Sequence, residues 1–436
     1  MQFLMDFWNN LFHFISDFSW WFIFSTFWFF FFIEVPRYYI LDFLVLVHVK
    51  LWKKTRMERC NKANTLLHLD NPLISIIVPG KGEGTHIYKL VISLREQTYK
   101  NFEIIVVDDG STDNTPQICR NLQKHGYIDL FLRNELGGGK GSAANFALKY
   151  CKGKYVIHLD ADSSLDRDAI EKILLPFYMD KRVKGVGGCV KVRNNENICT
   201  SLQSIEYLQT IQVGRTVTSV LGIYRVISGA FGAFEINMLH QVGGWDVGPG
   251  LDGDITQKIR KSKGKVRFAP DAICLTSVPD KFYRLIKQRM RWSKSLIRFR
   301  LRKHKNFLSF DENFDILNWI SQIEGLVFNL FFDVLWVFYL VRLCTINDEN
   351  LLEIIVLKFL ITMPFSFLSI LMGLWQTERK KEEWPLLVYV PIYSFYIGFF
   401  LRIVRTIAYV REFFFFSSYK DTWNPKKVSD MVRLDS

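Results

Sequence analysis

The sequence predicts an α/β domain with a largely parallel sheet, held between apolar segments that meet a membrane. Three observations lead there. Short β-branched runs alternate with helical patterns over residues 70–305. Phe-rich stretches flank that region on both sides. Glycine-rich and acidic motifs fall where several of the apolar runs stop.

The runs Ile74–Val78, Ile104–Val107, Tyr155–Leu159 and Val183–Val190 read as strands. Between them Ile87–Leu94, Thr115–His125, Gly141–Cys151 and Arg167–Met179 read as helices. This βαβ rhythm implies parallel strands, since a helix must return the chain to the same edge. Ligands on such sheets bind beyond the carboxyl ends of the strands.

Composition supplies the flanks. Of the 436 residues 49% are apolar and 39 are Phe, more aromatic than soluble domains normally are. The formal charge is +13. That suits nucleic acid, anionic lipid or an anionic substrate. The basic residues cluster beside apolar segments, at Lys50–Arg59 and Arg284–Lys305, so a membrane surface and a phosphate ligand are expected and nucleic acid is not. The seven Cys form no CxxC spacing and read as reduced thiols of a cytosolic domain, with no Cys or His metal site.

Residues 1–50 read as one spanning helix kinked near Pro36. The basic flank Lys50, Lys53, Lys54, Arg56 and Arg59 places the following domain, residues 51–305, in the cytoplasm. That domain ends in a basic amphipathic stretch, Asp280–Arg300, suited to the membrane interface. Residues 306–436 return to membrane character through Ile316–Val341, Leu351–Trp375 and Leu386–Ile407, the last of which suits the interface as well as a span. Glu324, Asp333, Arg402 and Arg405 lie inside these stretches and are expected to face protein or an aqueous path. A multi-pass protein of the plasma membrane is the expectation.

The polar motifs follow in chain order. Pro79-Gly80-Lys81-Gly82-Glu83 forms a turn after the first strand, suited to a nucleotide and equally to a purely structural bend. Asp108-Asp109 follows the second strand; paired carboxylates there need solvent, hydrogen bonds or a ligand. Ser111 or Asp113 can cap the helix starting near Thr115, but capping does not account for Asp108. Gly137-Gly138-Gly139-Lys140 lacks the Walker spacing, yet Lys140 can neutralise a diphosphate; a flexible loop with a surface Lys fits as well. Asp160-Ala161-Asp162 places two carboxylates at a strand end, as a divalent cation that also holds substrate phosphates requires. In Gly250-Leu251-Asp252-Gly253-Asp254, Asp254 is the natural N-cap of a helix Ile255–Lys261, which leaves Asp252 free as a general base. Gln288, Arg291 and Trp292 share one helical face, whereas Arg289 points elsewhere.

Taken together, Asp108-Asp109, Asp160-x-Asp162, Asp252 and Gln288-x-x-Arg291-Trp292 resemble the processive family 2 glycosyltransferases, which include cellulose, hyaluronan, chitin and poly-N-acetylglucosamine synthases. The resemblance covers about residues 70–300. It implies a GT-A fold, Rossmann-like in its sheet, an inverting mechanism and Mg²⁺ or Mn²⁺ held at Asp160 and Asp162. It implies a UDP-sugar donor, UDP-glucose or UDP-N-acetylglucosamine, contacted by Glu83, Asp108, Asp109, Lys140, Asp160, Gln288, Arg291 and Trp292. Asp252 would be the catalytic base, and Ser228, Gly229, Ala230 and Trp292 would line the acceptor position. A growing polysaccharide would leave through the membrane helices, and accessory export subunits are a possible class of partner. Leu251 stands where the family usually has Glu, and the first-strand turn departs from its common Asn-Glu form. A single transfer to a polyprenyl phosphate or diacylglycerol would use the same nucleotide site, but such enzymes generally lack the Gln288–Trp292 signature. A non-catalytic membrane scaffold is disfavoured because every expected Asp is present.

Overall fold

The computed structural model describes residues 20–420 apart from 247, 249, 310–313 and 347–350, together with residues 5, 9 and 12. Most of the expected N-terminal segment before residue 20, and the tail after residue 420, lie outside the described residues.

The central strands are β1 (Ile74–Gly80), β2 (Phe102–Asp108), β3 (Leu130–Arg133) and β4 (Tyr155–Leu159). β1 pairs in parallel with β2 and β4, and β2 with β3. The sheet continues with β5 (Ser164–Leu165), β6 (Val183–Val192), β7 (Phe231–Glu235) and β8 (Lys265–Thr276), in the spatial order β3-β2-β1-β4-β7-β6-β8-β5. β7 runs antiparallel to both β4 and β6. The sheet is therefore mixed, with its parallel part where the expected strands lie.

Burial on both faces explains why β1 and β2 read as unbroken apolar runs. Ile76, Val78, Ile104 and Val106 join the core on one face, while Ile77, Ile105 and Val107 join the core on the other. Ser75 is the polar exception inside β1. Its hydroxyl donates to Glu103 at 2.6 Å and accepts from the Gly153 N–H at 2.8 Å, so the buried oxygen is satisfied.

The helices that carry the site begin, in chain order, with α1 (Leu41–Leu51), α2 (Lys53–Asp70), α3 (Gly84–Arg95), α4 (Thr115–Lys124) and α5 (Lys140–Leu148). They continue with α6 (Ala169–Met179), α7 (Ile198–Tyr207), α8 (Leu251–Lys261) and α9 (Phe282–Leu296). Of the two expected caps for α4, Asp113 accepts the Thr115 N–H at 3.1 Å, whereas the Ser111 hydroxyl turns back to Asp108. α7 starts at a reciprocal cap in which Asn197 Oδ1 accepts the Thr200 N–H at 3.0 Å and Thr200 Oγ1 accepts the Asn197 N–H at 3.1 Å.

Among the described residues three helices are long and apolar enough to cross a membrane: Ile316–Arg342, Leu352–Gln376 and Lys380–Phe415. The N-terminal run is helical from Phe30 to Leu51 but carries Glu34, Arg37 and Asp42. At the expected kink the helix widens instead: Phe30–Ile40 is π-helical, and the Leu41 N–H reaches back to the Pro36 carbonyl. Several charges in these segments are internally paired. Arg402 bonds Glu34 at 2.6 Å, Arg37 bonds Asp42 at 2.8 Å, Arg225 bonds Glu324 at 2.5 Å and Thr406 donates to Asp333 at 2.8 Å. They face protein or the cavity described below, as burial of charge in an apolar medium demands.

Polar locks join the two halves. Lys191, buried at the end of β6, donates to Thr377 at 2.6 Å and pairs with Glu383; Arg379 reaches Asp166 at 2.7 Å. α9 packs along Leu401–Phe415.

Gly153 sits where β4 approaches β1. A Cβ there would lie 2.5 Å from the Ser75 backbone nitrogen and 2.8 Å from the Ile74 carbonyl carbon. Backbone cannot yield as a side chain can, so Gly153→Ala should destabilise the α/β domain by about 1–3 kcal/mol. A lowered Tm of the detergent-solubilised protein reports this; an unchanged Tm would show that β1 and β4 are not in this register.

Candidate active site

The site is assembled at the carboxyl ends of β1, β2 and β4, the position where a parallel sheet with this strand order opens a crevice. Asp109, the residue after β2, organises the glycine run facing it. Its Oδ1 accepts from the Gly138 N–H at 2.8 Å and from Asn134 Nδ2 at 3.0 Å, and its Oδ2 accepts from the Gly139 N–H at 2.7 Å. Gly137 and Gly139 have φ of +62° and +83°, which a side chain would resist. Pinning this loop sets the start of α5, so that Lys140, its first residue, bonds Asp160 at the end of β4.

Asp108 occupies a different place from the one expected of a ligand-facing carboxylate. It is buried, does not line the cavity, and its Oδ1 accepts from the Ser111 N–H at 3.1 Å and from the Ser111 hydroxyl. Ser111 Oγ in turn accepts from the Gly82 N–H at 2.8 Å, so Asp108 ties the turns after β1 and β2 together. Its Oδ2 makes no hydrogen bond but faces the Arg133 guanidinium, with Nε at 3.5 Å.

Asp160 and Asp162 both line the cavity. Burial, then the neighbouring Asp160 and Glu83 carboxylates, push Asp162 up to about 6 against the pull of Lys140. Among the described residues no three acidic, His or Cys groups converge on one point, but a pair of strand-end carboxylates is what a hard divalent ion needs when substrate phosphates and water complete its shell. Asp160 and Asp162 therefore fit such an ion.

Asp252 lies in the first turn of α8 and faces the cavity. Burial raises its carboxyl above the ordinary range, with Lys140 and the Gly229 N–H opposing. A Cβ on Gly229 would come within 2.3 Å of Asp252 Oδ1, so only glycine leaves the carboxylate its place. Gly229 is itself held by His158, whose Nδ1 lies 2.6 Å from the Gly229 carbonyl. Burial holds the imidazole down to about 3, so the ring is neutral and Nδ1 carries the proton it donates. His158 rests against Trp245 at 5.4 Å between ring centroids, and Asn145 on α5 bonds the Trp245 backbone at 2.9 and 2.7 Å. Sequence reasoning missed this support; a lone His inside the apolar strand Tyr155–Leu159 was its only signal.

Asp254 is not the cap that the sequence suggested. α8 begins earlier, at Leu251, after Gly250 in the left-handed region at φ +88°. Asp254 is fully buried, 2.7 Å from His304 Nε2 and 2.9 Å from Lys303 Nζ. Burial would raise it, but His304, Lys303 and Lys258 hold it down to about 2.

From α9, Gln288, Arg291 and Trp292 reach the cavity on one face. Arg289 lies behind them, buried. It donates to Gln288 Oε1 and to Glu206 Oε2, both at 2.8 Å, and its guanidinium sits 4.2 Å from the Trp292 ring centroid. Tyr396 donates to the same Glu206 oxygen at 2.9 Å.

Glu83, Asp109, Lys140, Asp160, Asp162, Ser228, Ala230, Asp252, Gln288, Arg291 and Trp292 line one cavity of about 1260 Å³. Asp108 and Gly229 stand behind its wall. The same cavity continues between the membrane helices, past Tyr207, Arg215, Phe332, Trp336, Tyr339 and Arg402.

Residues 75–234 match the family model Glycosyl transferase family 2, and residues 155–401 match Glycosyl transferase family group 2. The poly-β-1,6-N-acetyl-D-glucosamine synthase of Staphylococcus epidermidis is 31% identical over 225 residues, 51% of this chain and 54% of that protein. The protein of that name from Staphylococcus aureus strain COL is 30% identical over 197 residues, 45% of this chain and 48% of the other. The chain spans about half the length of these curated relatives. The mannosyltransferase PcManGT from Pyrobaculum calidifontis, solved with GDP-Man and Mn²⁺, aligns with a TM-score of 0.55 at 20% identity, over 77% of this chain and 94% of that one. That likeness is one of fold, and the fold is GT-A-like. Because the second family model spans more than half of its residues, the chain belongs to Glycosyl transferase family group 2.

Proposed function

We propose that this protein is a membrane-bound, inverting glycosyltransferase that polymerises a sugar from a UDP-sugar donor into a β-linked polysaccharide and passes the product through its own membrane helices. UDP-glucose and UDP-N-acetylglucosamine are the donors we expect. The observation that carries the reading is the single cavity: it joins Asp109, Asp160 and Asp252 at the strand ends to Trp336, Tyr339 and Arg402 between the membrane helices. The Gln288–Trp292 signature, which single-transfer enzymes generally lack, favours a polymer over a lipid acceptor. We place the α/β domain, residues 51–305, in the cytoplasm, between a membrane segment in residues 1–50 and further ones in residues 306–436, in a multi-pass protein of the plasma membrane. The basic flank Lys50–Arg59 supports that orientation.

In this reading the nucleotide lies over the turns after β1 and β2. Glu83 and Asp109 border that surface, and Asp108 supports it from behind through Ser111. Lys140 and Arg291 face the diphosphate. Asp160 and Asp162 would hold Mg²⁺ or Mn²⁺, which when bound neutralises diphosphate charge as the leaving group departs. Asp252 takes the proton of the acceptor hydroxyl while that oxygen attacks the anomeric carbon. The bond from that carbon to UDP breaks, and UDP leaves with the electron pair, which inverts the configuration. Trp292 offers an aromatic face on which the acceptor sugar stacks, beside Ser228 and Ala230. Arg289 fixes Gln288 and Trp292 from behind.

The reading is tested by incubating the purified chain in liposomes with Mg²⁺ or Mn²⁺ and radiolabelled UDP-sugars. A high-molecular-weight product from one donor is expected, and a small organic-extractable product would move the assignment to a lipid acceptor. Asp252→Asn should lower transfer by about 10²–10⁴-fold, the usual contribution of a general base, while UDP binding stays unchanged. Because burial raises the Asp252 carboxyl, the base is lost as pH falls, and the acid limb of the rate profile should begin above the ordinary carboxylate pKa of about 4. An acid limb identical in Asp252→Asn would remove that assignment.

Gly229→Ala probes the same carboxylate without touching it. The added Cβ must displace Asp252, and misplacement of a catalytic group by about 1 Å costs roughly 10²-fold. The loss should appear in kcat, with UDP affinity and Tm close to the parent. Full activity in the variant would mean that Asp252 is not held at Gly229 during turnover.

A further inference from the structure

The wall that the cavity shares with Asp252 carries a guanidinium to which the transfer chemistry gives no task. Arg215 lies on the short helix Gly214–Val220, which continues from α7 through the π-helical stretch Leu208–Val213. Val213 and Val217 bury against Val45 and Leu46 of α1 and against Met372. Arg215 falls between them in sequence and so on the opposite side of the helix, where it lines the cavity. The far end of the helix is tied to β8: the Phe268 N–H donates to Ser219 Oγ and Arg267 donates to the Ser219 carbonyl, both at 3.0 Å. Packing on one face and hydrogen bonds at one end thus fix where Arg215 stands.

Its surroundings hold few groups to pair with. Among the described residues Arg215 forms no ion pair, and its Nη1 is buried without a hydrogen-bond partner. The Tyr224 hydroxyl, in the same cavity wall, is buried and unpartnered too. The charge of Arg215 acts on Tyr207, Tyr224, Cys189 and Asp252. Burial raises the first three above their ordinary values, so they are neutral at neutral pH. The fourth is a carboxylate. A half-buried guanidinium is costly without a counter-charge, and Asp252 supplies one.

Asp252 is reached from several elements. Burial raises its carboxyl; Lys140 from α5 and the Gly229 N–H lower it, Asp160 after β4 raises it, and Arg215 lowers it. Tyr224 faces it as a neutral phenol. Of the two cations Lys140 is shared, since it bonds Asp160 and in the donor complex faces the diphosphate. As the departing diphosphate draws on Lys140, Arg215 is the cation left to Asp252.

We propose that Arg215 is a positioning residue that acts through Asp252, the standing counter-charge that keeps this carboxylate ionised while Lys140 serves the diphosphate. The proposal rests on the reading of Asp252 as the base. It asks nothing of the sugar's own charge, so it holds for a neutral donor and a neutral acceptor.

Two measurements on the full-length protein test it. One is the rate of transfer in liposomes from UDP-glucose or UDP-N-acetylglucosamine, whichever the parent uses, followed from about pH 5 to about pH 9. The other is modification of Asp252 by a hydrophobic carbodiimide, which attacks the protonated carboxyl, read by peptide mass over the same range with UDP and Mg²⁺ present. The second needs no turnover. Removing a nearby cation raises a carboxylate, so Arg215→Gln should move the acid limb and the labelling midpoint upward together by about one unit. Below the limb that is roughly tenfold less ionised base, while the alkaline plateau and UDP affinity stay close to the parent. Arg215→Lys should keep most of the parent midpoint. Arg215→Met removes the same charge and keeps an apolar stem, should Arg215→Gln fold poorly. A limb and midpoint that stay in place in Arg215→Gln, while Asp252→Asn abolishes both, overturn the role of Arg215 and leave Asp252 as the base. An equal loss at every pH with an unmoved midpoint also overturns it, in favour of direct contact with substrate. An acid limb that survives Asp252→Asn counts against the base itself, and the proposal falls with it.

Discussion

Much of the site depends on one buried carboxylate. Asp109 gives its two oxygens to the Gly138 and Gly139 N–H groups and to Asn134, and so fixes a loop that glycine would otherwise leave free. The fixed loop decides where α5 begins, and the start of α5 decides where Lys140 stands. Lys140 then meets Asp160 from the next strand of the sheet and moderates the burial of Asp252 on the far wall. Three strand ends and a later helix are brought to one electrostatic centre by this chain of contacts. Charge-assisted bonds to backbone N–H are among the stronger ones available, which suits a carboxylate asked to order a loop.

Much of this was legible in the sequence where a single local cause decides structure. β1, β2 and β4 announce themselves because burial on both faces demands unbroken apolar runs. β7 and β8 did not. Phe231–Glu235 contains Gly232 and Ala233, which pack closely where larger residues would clash, and Lys265–Thr276 is interrupted by Arg267 and Asp271, so neither reads as a plain buried strand. The π-helical widening at Pro36 has no pattern at all, since it answers a missing N–H by borrowing geometry from the turn around it.

The polar motifs divide in the same way. Residue type and strand-end position were enough to bring Asp160 and Asp162 to the cavity side, and helical spacing was enough to group Gln288, Arg291 and Trp292 there; Asp252 reaches the cavity too, although the capping argument that singled it out did not hold. Asp254 was misread because its partners His304 and Lys303 lie some fifty residues onward, where no local rule reaches. His158 was missed for a related reason: its task is to hold a carbonyl, and only the fold shows which one. Asp108 was read as facing a ligand, whereas the structure has it joining two turns through Ser111, a partner three residues on that strand-end position alone does not reveal.

α9 shows why the two halves of the chain cannot be treated separately. One face lines the cavity with Gln288, Arg291 and Trp292, while Arg289 on the other grips Glu206 of α7, and Glu206 takes a further bond from Tyr396 in the helix Lys380–Phe415. Burial works against the charge on Arg289, and Glu206 beside it keeps the guanidinium protonated. Removing either partner would leave the other as an unpaired buried charge, a far larger penalty than the pair's own net worth. The side chains that would meet diphosphate and acceptor are thus braced on an ion pair seated against a membrane helix. A shift of that helix would therefore reach Gln288 and Trp292 through Glu206 and Arg289.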